Sequence, residues 1–372
     1  MRVTLCVDAL EPRPSGIGRY TWELCKGLAQ RDDVSPLFFA RNQLIDNPAT
    51  LLADKRSRWS RSRLVRSYRS RRTRRALRST LVHGPNYFLP LLAETGVITV
   101  HDLSVFRYPD LHPAKRVDDF ERNLRRSIDQ AQHLVTDSET IRSEVIEFAG
   151  LAPERVTAVP LGISEEFGPV SLEERAPVLR RYGLPLSGYG LTLSTLEPRK
   201  RIDRLLSAWR ELPRRARDRY PLVIAGAAGW NNAALHSEID RAAAEGWALP
   251  LGFVAEADLP AIYSGAALFA YPSLYEGFGL PPLEAMASGV PTVVAAGSCL
   301  PEVTRGAAIV ADPDDIEEFA QTLLRGIEDN SWRSEAVSAG IKVAAGYTWK
   351  RCVDETVAVY QQVISRCGGG GK

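Results

Sequence analysis

The chain has 372 residues, a net charge of only +2, 45% apolar residues and 25% charged residues. This composition is typical of a folded globular protein and excludes a disordered or fibrous chain. The length is more than one hydrophobic core usually serves, so we expect two domains. No apolar run approaches the roughly 20 residues of a membrane-spanning helix. Met1–Asp8 resembles a buried strand rather than a signal peptide, so we expect the protein to work in the cytoplasm.

The cysteines show neither a Cys-x-x-Cys spacing nor histidines at metal-ligand spacing. We therefore expect free thiols and neither a disulfide framework nor a zinc site. The cysteines are Cys6, Cys25, Cys299, Cys352 and Cys367. Residues 367–372 are rich in glycine, and we expect a flexible tail.

The first strand, Val3–Asp8, runs into a loop that contains Gly16-Ile17-Gly18-Arg19. Apolar residues then recur at helical spacing from Ile17, so the order is strand, glycine loop and helix. In open α/β sheets such a junction binds ligands. The loop lacks the third glycine of a dinucleotide fingerprint and the Gly-Lys-Ser/Thr of a P-loop. A phosphate contact and a plain tight turn both remain open for Gly16 and Gly18.

After a second predicted strand, Val34–Ala40, the chain carries twelve basic residues and no acidic one between Lys55 and Arg78. The rest of the chain therefore has a net charge of about −10. A basic stretch that includes Trp59 and Tyr68 can lie on an anionic membrane surface, which is the interpretation we favour. The alternatives are a solvated helix face and a nucleic-acid site.

The strand Val97–Val100 delivers His101 and Asp102 at its carboxyl end, where α/β sheets hold their chemistry. That position favours a functional role for His101 over a structural one. A helix and the strand Leu134–Thr136 follow, and then Asp137-Ser138. We expect this pair to cap the next helix.

A strand at Val156–Val159 is followed by falling apolar content from Ser164 to Gly190, which predicts an interdomain linker. A second alternation of strands and helices begins at Leu191. Its first strand leads to Arg199-Lys200 at the start of a helix, where fixed charge and free N–H groups suit a diphosphate. The alternative is that Arg199 and Lys200 are adjacent on the surface by chance and bind no ligand.

The most informative stretch is Tyr275-Glu276-Gly277-Phe278-Gly279-Leu280-Pro281-Pro282-Leu283-Glu284. Two prolines suit the first turn of a helix, so we place Glu276 on a loop and Glu284 within the helix that follows. Without side chains at Gly277 and Gly279 the backbone can come close to a ligand. The N–H groups of this loop and helix start would face an oxygen-rich partner.

Further strands are predicted at Leu222–Ala225, Leu249–Val254, Leu268–Tyr271, Val290–Val294 and Ala308–Val310. Two successive series of strands and helices with parallel connections predict two doubly wound α/β domains. We place them at residues 1–165 and 166–347. A last helix at 348–366 is expected to pack back on the first domain.

Four motifs together resemble family 4 of the retaining GT-B glycosyltransferases, and in particular the bacterial mannosyltransferases of O-antigen and exopolysaccharide assembly. The resemblance covers almost the whole chain. The motifs are Gly16-Ile17-Gly18-Arg19, His101-Asp102-Leu103, Glu197-Pro198-Arg199-Lys200 and the stretch from Glu276 to Glu284. The resemblance implies two Rossmann-like domains that face a central cleft. The N-terminal domain would bind the acceptor and the C-terminal domain the nucleotide sugar.

The resemblance also implies roles for individual residues. Glu276 would bind hydroxyls of the donor sugar, with backbone contacts from Gly277, Phe278, Gly279 and Leu280. Glu284 would bind the ribose. Arg199 and Lys200 would bind the diphosphate and stabilise the charge that develops on it. His101 would lie near the reacting sugar, Gly16 and Gly18 near the diphosphate, and Gly252, Phe253 and Val254 beside the nucleobase.

The implied reaction is a retaining transfer of a sugar to a lipid-linked saccharide at the inner face of the cell membrane, without a metal ion or another cofactor. No Asp-x-Asp follows a strand, and for Asp312-Pro313-Asp314 we expect a helix-capping role. Some members of the family carry an additional arginine before the position of Glu197, where this chain has Ser194 and Thr195. GDP-mannose is the first choice of donor, and UDP-glucose or another UDP-sugar is the second.

Two alternatives remain open from the sequence. A sugar-nucleotide epimerase can share this architecture and would need no acceptor. A nucleic-acid-binding protein would depend on the basic stretch 55–78, but it leaves Glu276 and Glu284 unexplained.

Overall fold

The structure is a computed structural model that describes residues 1–12, 16–53, 63–112, 114–186, 188–227, 229 and 232–368. The basic stretch is described only in part, since residues 54–62 and the side chains of 63–69 lie outside the described set. The described chain divides into two compact units, one formed by Met1–Gly162 with the C-terminal helix and the other by Ile163–Thr348. We call them the N-terminal unit and the C-terminal unit.

The strands alternate with helices along the chain. The strands are β1 Arg2–Cys6, β2 Ser35–Ala40, β3 Gln43–Ile45, β4 Leu81–Gly84, β5 Thr95–Val100, β6 His133–Thr136, β7 Val156–Ala158, β8 Gly190–Leu193, β9 Leu222–Ala225, β10 Ala248–Gly252, β11 Leu268–Tyr271, β12 Thr292–Ala295 and β13 Ile309–Ala311. The helices are α1 Gly16–Ala29, α2 Arg63–Ser79, α3 Ser104–Arg107, α4 Ala114–Gln130, α5 Glu139–Ala149, α6 Leu172–Arg181, α7 Ile202–Glu211, α8 Arg214–Arg219, α9 Ala233–Ala244, α10 Leu259–Gly265, α11 Leu280–Ala287, α12 Leu300–Thr304, α13 Ile316–Glu328, α14 Asn330–Ala344 and α15 Trp349–Gly368. None of the helices in the described ranges has the length and apolar character that a membrane span requires.

In the described part of the N-terminal unit, seven strands form a sheet in the order β3-β2-β1-β4-β5-β6-β7. Its pairs are parallel except that of β2 with β3, which is antiparallel. The prediction missed β3 because three residues carry too little periodicity. The C-terminal helix α15 packs on α1, where Val353 touches Gly27 closely enough that a Cβ at residue 27 would lie 2.5 Å from Val353.

In the C-terminal unit, six strands in the described ranges form a parallel sheet in the order β10-β9-β8-β11-β12-β13. Alternate side chains of each strand point to opposite faces. Leu268 and Ala270 accordingly lie in a core with Trp209 of α7 and Phe319 of α13, whereas Phe269 between them contacts Tyr263 of α10. Both units are thus doubly wound α/β folds, which confirms the predicted fold class.

The predicted linker from Ser164 to Gly190 was wrong, because most of this stretch is folded into the C-terminal unit. Ser171 caps α6 in a reciprocal capping box with Glu174. The helix buries Leu179 against α10, where Leu179 lies beside Gly265. Few apolar residues suffice because a short helix needs only one narrow buried face.

Two local predictions also need correction. The strand predicted at Leu249–Val254 ends at Gly252, whose φ of +64° is left-handed and stops the extended backbone. The capping role expected of Asp312 and Asp314 belongs to Asp315, whose side chain accepts from the N–H of Glu318. Asp314 instead forms ion pairs with Arg201 and Arg204. The same motif directly follows β13, which also corrects the expectation that no Asp-x-Asp follows a strand. By contrast, Ser138 caps α5 as predicted.

Candidate functional site

The predicted cations and the predicted carboxylate Glu276 meet at one edge of the C-terminal sheet. Strands β8 and β11 are parallel neighbours, so the residues that follow them emerge at the same edge. Arg199 and Lys200 lie in a 3₁₀ turn, Pro198–Lys200, after β8. Glu276 lies on the loop between β11 and α11. The structure therefore brings Glu276 to two adjacent cations that precede it by more than 70 positions in sequence.

Glu276 is buried in a network of donors. Lys200 Nζ donates to its Oε1 and also to the hydroxyl of Tyr271, at 3.1 Å. Ser273 Oγ donates to the same Oε1 at 2.5 Å. Arg199 Nη1 lies 3.3 Å from Oε2. The carboxylate is thus fixed by two cations and a hydroxyl.

Arg199 is itself held in place by the surrounding chain. Its Nη2 donates to Glu197 Oε1 at 2.7 Å, and its Nη1 donates to the carbonyl of Tyr275. Glu197 and Glu276 together balance the charges of Arg199 and Lys200. The guanidinium therefore has a set orientation, which a flexible surface pair would lack.

The electrostatics keep Glu276 ionised. Burial alone would raise the pKa of this carboxyl, but the charges of Lys200 and Arg199 and the hydrogen bonds from Lys200 and Ser273 outweigh burial and lower the pKa to about 2. Burial also lowers the pKa of the Lys200 amine below its usual value, although Glu276 opposes that shift. An ionised carboxylate can only accept, which suits sugar hydroxyls as donors.

The backbone around Glu276 is fastened to the loop before α12. Ser298 Oγ accepts from the N–H of Glu276 at 2.8 Å and donates to its carbonyl at 2.5 Å. The Cys299 thiol donates to the carbonyls of Glu276 and Phe278, at 3.2 and 3.1 Å. The ring of Phe278 packs edge-on against Tyr347. The segment that includes Gly277 is thereby held on both sides.

Helix α11 begins as predicted, directly after Gly279, with Leu280 as its first residue. Gly279 has a φ of +104°, and a Cβ there would lie 2.7 Å from Leu300, so a larger residue would be strained. Glu284 lies in the second turn and is buried, and Tyr263 Oη donates to its Oε2 at 2.9 Å.

The three residues predicted beside a nucleobase lie at the carboxyl end of β10, two strands away from β8. Gly252 ends the strand, Phe253 is 56% exposed and Val254 is buried. An exposed aromatic ring at the carboxyl edge of a parallel sheet can stack on a base.

In the N-terminal unit, His101 follows β5 and is buried. Its Nδ1 lies 2.7 Å from Asp137 Oδ2, and its Nε2 lies 2.8 Å from the carbonyl oxygen of Pro85. Burial lowers the pKa of His101, but Asp137 and the Pro85 carbonyl outweigh burial, and the pKa lies above its usual value. Burial raises the pKa of Asp137. The two groups are in direct contact, so they titrate as a coupled pair.

Gly16 and Gly18 form the first turn of α1, after residues 13–15, which lie outside the described set. One turn further, Tyr20 packs its ring edge-on against His101, with 5.2 Å between the ring centroids. The start of α1 and His101 are thus neighbours within the N-terminal unit.

Several residues hold the predicted ones through contacts that the sequence did not predict. They are Glu197, Tyr271, Ser273, Ser298 and Cys299 around Glu276, Tyr263 beside Glu284, and Asp137 beside His101. Asp137 could have been found from strand pairing. Val100 pairs with Thr136 in adjacent parallel strands, so the residues that follow them face each other.

Comparison with known families gives two matches that together cover most of the chain. Residues 14–167 match the model described as Glycosyltransferase Family 4, and residues 188–343 match the model described as Glycosyl transferases group 1. O-antigen chain mannosyltransferase B of Escherichia coli is 37% identical over an alignment of 379 positions, which covers 97% of this chain and all of that protein. O-antigen chain mannosyltransferase RfbU of Salmonella typhimurium is 27% identical, over 67% of this chain and 65% of its own.

Among solved structures, the fold resembles that of HepE from Anabaena in complex with UDP-glucose, with a TM-score of 0.72 at 18% identity over 99% of this chain and all of that one. It also resembles WaaG, a glycosyltransferase involved in lipopolysaccharide biosynthesis, with a TM-score of 0.70 at 15% identity over 96% and 99% of the two chains. The chain therefore belongs to the family 4, group 1 glycosyltransferases of GT-B fold.

Proposed function

We propose that this glycosyltransferase moves mannose from GDP-mannose onto a lipid-linked saccharide, with retention of configuration, in the assembly of a cell-surface polysaccharide. The observation that carries the proposal is the Glu276 carboxylate, which Lys200 and Arg199 hold in ionised form at the edge of the C-terminal sheet. The choice of mannose is supported by the 37% identity to O-antigen chain mannosyltransferase B.

In this proposal, Arg199 and Lys200 bind the diphosphate of the donor. Negative charge grows on the diphosphate as the bond to the sugar breaks, and fixed cations stabilise that charge without reorganising. The contacts of Arg199 with Glu197 and Tyr275 keep the guanidinium in one orientation. Glu276 accepts hydrogen bonds from sugar hydroxyls and so positions the sugar. We assign it no nucleophilic role.

The remaining predicted residues bind the rest of the donor. Glu284, oriented by Tyr263, accepts from the ribose hydroxyls. The backbone of Gly277, Phe278, Gly279 and Leu280 contacts the donor, and Gly252, Phe253 and Val254 bind the nucleobase. In the N-terminal unit, Gly16 and Gly18 lie beside the diphosphate, and His101 lies beside the reacting sugar.

We propose that the reaction needs no metal ion. The two fixed cations, Arg199 and Lys200, supply the positive charge that a divalent ion would otherwise give a diphosphate. Turnover in the presence of EDTA should equal turnover with added Mg²⁺. A loss of activity that only a divalent cation restores would contradict this part of the proposal.

We also propose that the basic stretch 55–78 holds the enzyme on the inner face of the cell membrane. The arginines of α2 whose side chains are described are exposed to solvent; they are Arg71, Arg72, Arg74, Arg75 and Arg78. Thr73, Ala76 and Leu77 face inward. Each basic residue near an anionic bilayer contributes about 1 kcal/mol to binding.

A thermal-shift panel of GDP, UDP, ADP and their sugar conjugates tests the donor, since a ligand that binds only the folded state raises Tm. We expect GDP and GDP-mannose to raise Tm selectively. A shift with UDP compounds alone would replace the proposed donor by a UDP-sugar. Conversion of GDP-mannose to another sugar nucleotide without an acceptor, seen by NMR, would favour the epimerase alternative.

A further inference from the structure

The loop between β4 and β5 carries two exposed leucines. Leu91 is 74% exposed and Leu92 is 37% exposed. Leu91 is the most exposed of the large apolar side chains in the described ranges. A single exposed leucine is ordinary on a protein surface, but two adjacent ones at a loop tip offer apolar area to a partner.

Helix α4 holds the backbone of this loop on both flanks of the two leucines. Arg126 of α4 donates to the carbonyl of Leu89 at 3.0 Å. Gln130 of α4 donates to the carbonyls of Pro90 and Ala93, at 3.0 and 2.7 Å. The N–H of Ala93 also donates to the carbonyl of Pro90 at 3.0 Å, which closes a turn around the leucines. The apolar tip is thus presented by a fixed backbone.

The same loop lies beside the basic helix α2. Glu94, three residues after Leu91, lies 3.6 Å from Arg78 at the end of α2. Further along that helix, the side chains of Arg71, Arg74 and Arg75 are exposed to solvent. An apolar tip and a strongly basic face therefore adjoin within one unit.

We propose that Leu91 and Leu92 insert into the boundary between headgroups and acyl chains of an anionic bilayer while the arginines of α2 bind its headgroups. The proposal rests on the proposed function, because a lipid-linked acceptor requires the enzyme at a membrane. Aliphatic side chains beside arginines match a lipid surface. A single-stranded nucleic acid would favour aromatic side chains at such a tip, on which its bases can stack.

The first experiment compares sedimentation with vesicles of phosphatidylcholine alone and of phosphatidylcholine with phosphatidylglycerol. We expect L91S/L92S to bind the anionic vesicles at least about tenfold more weakly than the parent chain, because two apolar side chains no longer leave water. Leu172→Ser is the matched control, because Leu172 is 51% exposed in the C-terminal unit, and it should bind like the parent chain. R71Q/R74Q/R75Q should lose the preference for anionic lipid.

Equal binding of L91S/L92S and the parent chain would overturn the proposal. So would an absence of vesicle binding by the parent chain. Release of GDP from GDP-mannose with a water-soluble alkyl mannoside should be unchanged in L91S/L92S. That measurement separates failure of the membrane surface from failure of the proposed glycosyl transfer.

A second experiment locates the tip in the bilayer. The exposed Cys367 is replaced by serine, the four buried cysteines are left in place, and Leu91→Cys carries an environment-sensitive dye. We expect a blue shift on adding anionic vesicles and quenching by lipids labelled near the headgroup. The same dye at Leu172→Cys should show neither. A blue shift with RNA, or on raising the protein concentration without vesicles, would assign the tip to another partner and overturn the proposal.

Discussion

Glu276 and Lys200 form an ion pair in which only 11% of either side chain is exposed. The pair lies at the carboxyl edge of the C-terminal sheet, where Arg199 and Ser273 also contact the carboxylate. Charges buried in this way stabilise a fold only while both partners are present.

Removal of one partner should therefore lower the free energy of unfolding more than removal of both. Glu276→Ala leaves the buried Lys200 amine without its carboxylate and leaves Arg199 with Glu197 alone, and we expect the free energy of unfolding to fall by about 3–5 kcal/mol. The double variant Glu276→Ala with Lys200→Met should lose clearly less than the sum of its single variants. Urea unfolding of all four proteins measures the coupling. Additive losses would show that the pair is not coupled as described.

The Tyr263 hydroxyl should act on donor binding through Glu284. Tyr263→Phe keeps the ring but removes the hydrogen bond to Glu284. We expect the KM for the donor to rise about three- to tenfold, which corresponds to one hydrogen bond, with a smaller change in kcat. Tyr189→Phe is the control, because Tyr189 donates to the Ile262 carbonyl in the same unit. It should lose stability at an unchanged KM, and a KM that rises equally in both variants would contradict the role of Tyr263.

The pKa of His101 should lie above its usual value, since each ring nitrogen faces an oxygen that can accept a hydrogen bond. Its raised pKa means that the proton is retained above the usual titration range. In Asp137→Asn, burial remains without the carboxylate, so the pKa of His101 should fall. Nitrogen-15 NMR of the imidazole measures this change, and the pH profile of turnover should shift with it.

Ser138→Ala is the control for that measurement, because Ser138 caps α5 directly beside Asp137. We expect it to cost about 1 kcal/mol of stability and to leave the imidazole spectrum unchanged. A His101 that titrates near pH 6.5 in the parent chain would refute the coupled pair.

His83 should destabilise the N-terminal unit in acid. It is buried between Tyr360 of α15 and Thr99 of β5. Burial, with a smaller effect of the His101 charge, lowers its pKa from 6.5 to about 3. Because the unfolded state binds the proton more tightly, the stability contribution is complete above pH 6.5 and is lost as the pH falls toward 3.

Between pH 6.5 and pH 5 this loss should be about 2 kcal/mol. Urea unfolding at the two pH values measures it. His83→Gln should be less stable than the parent chain at pH 7 but should depend less on pH in this range. An equal pH dependence of the two proteins would assign the acid sensitivity to other groups.

The sequence predicted most strands because apolar runs in parallel sheets are short and bounded by polar turns. It also placed His101 at a strand end, Arg199 and Lys200 between a strand and a helix, and Glu276 on the loop before a helix. It could not predict which strand ends are adjacent. The contact of Glu276 with Lys200 depends on the pairing of β11 with β8 across 76 residues of chain.

The residues that hold the site were harder to predict than the site itself. Tyr263 and Ser298 show no motif, and their roles depend on side-chain directions that only packing sets. The stretch from Ser164 to Gly190 resembled a linker because its buried residues, such as Leu179, are few and widely spaced. Periodicity indicates a helix only where several turns repeat it.

The most direct test of the account is the release of GDP from GDP-mannose, measured with an extract of bacterial lipid-linked saccharides for the parent chain and for Glu276→Gln. Gln keeps the shape of the side chain but removes the charge, so GDP should still bind, as seen by its thermal shift. We predict that the parent chain releases GDP only slowly until the extract is added, and that Glu276→Gln releases it at least about 100-fold more slowly. Equal rates in the two proteins, or release from UDP-glucose but not from GDP-mannose, would contradict the account.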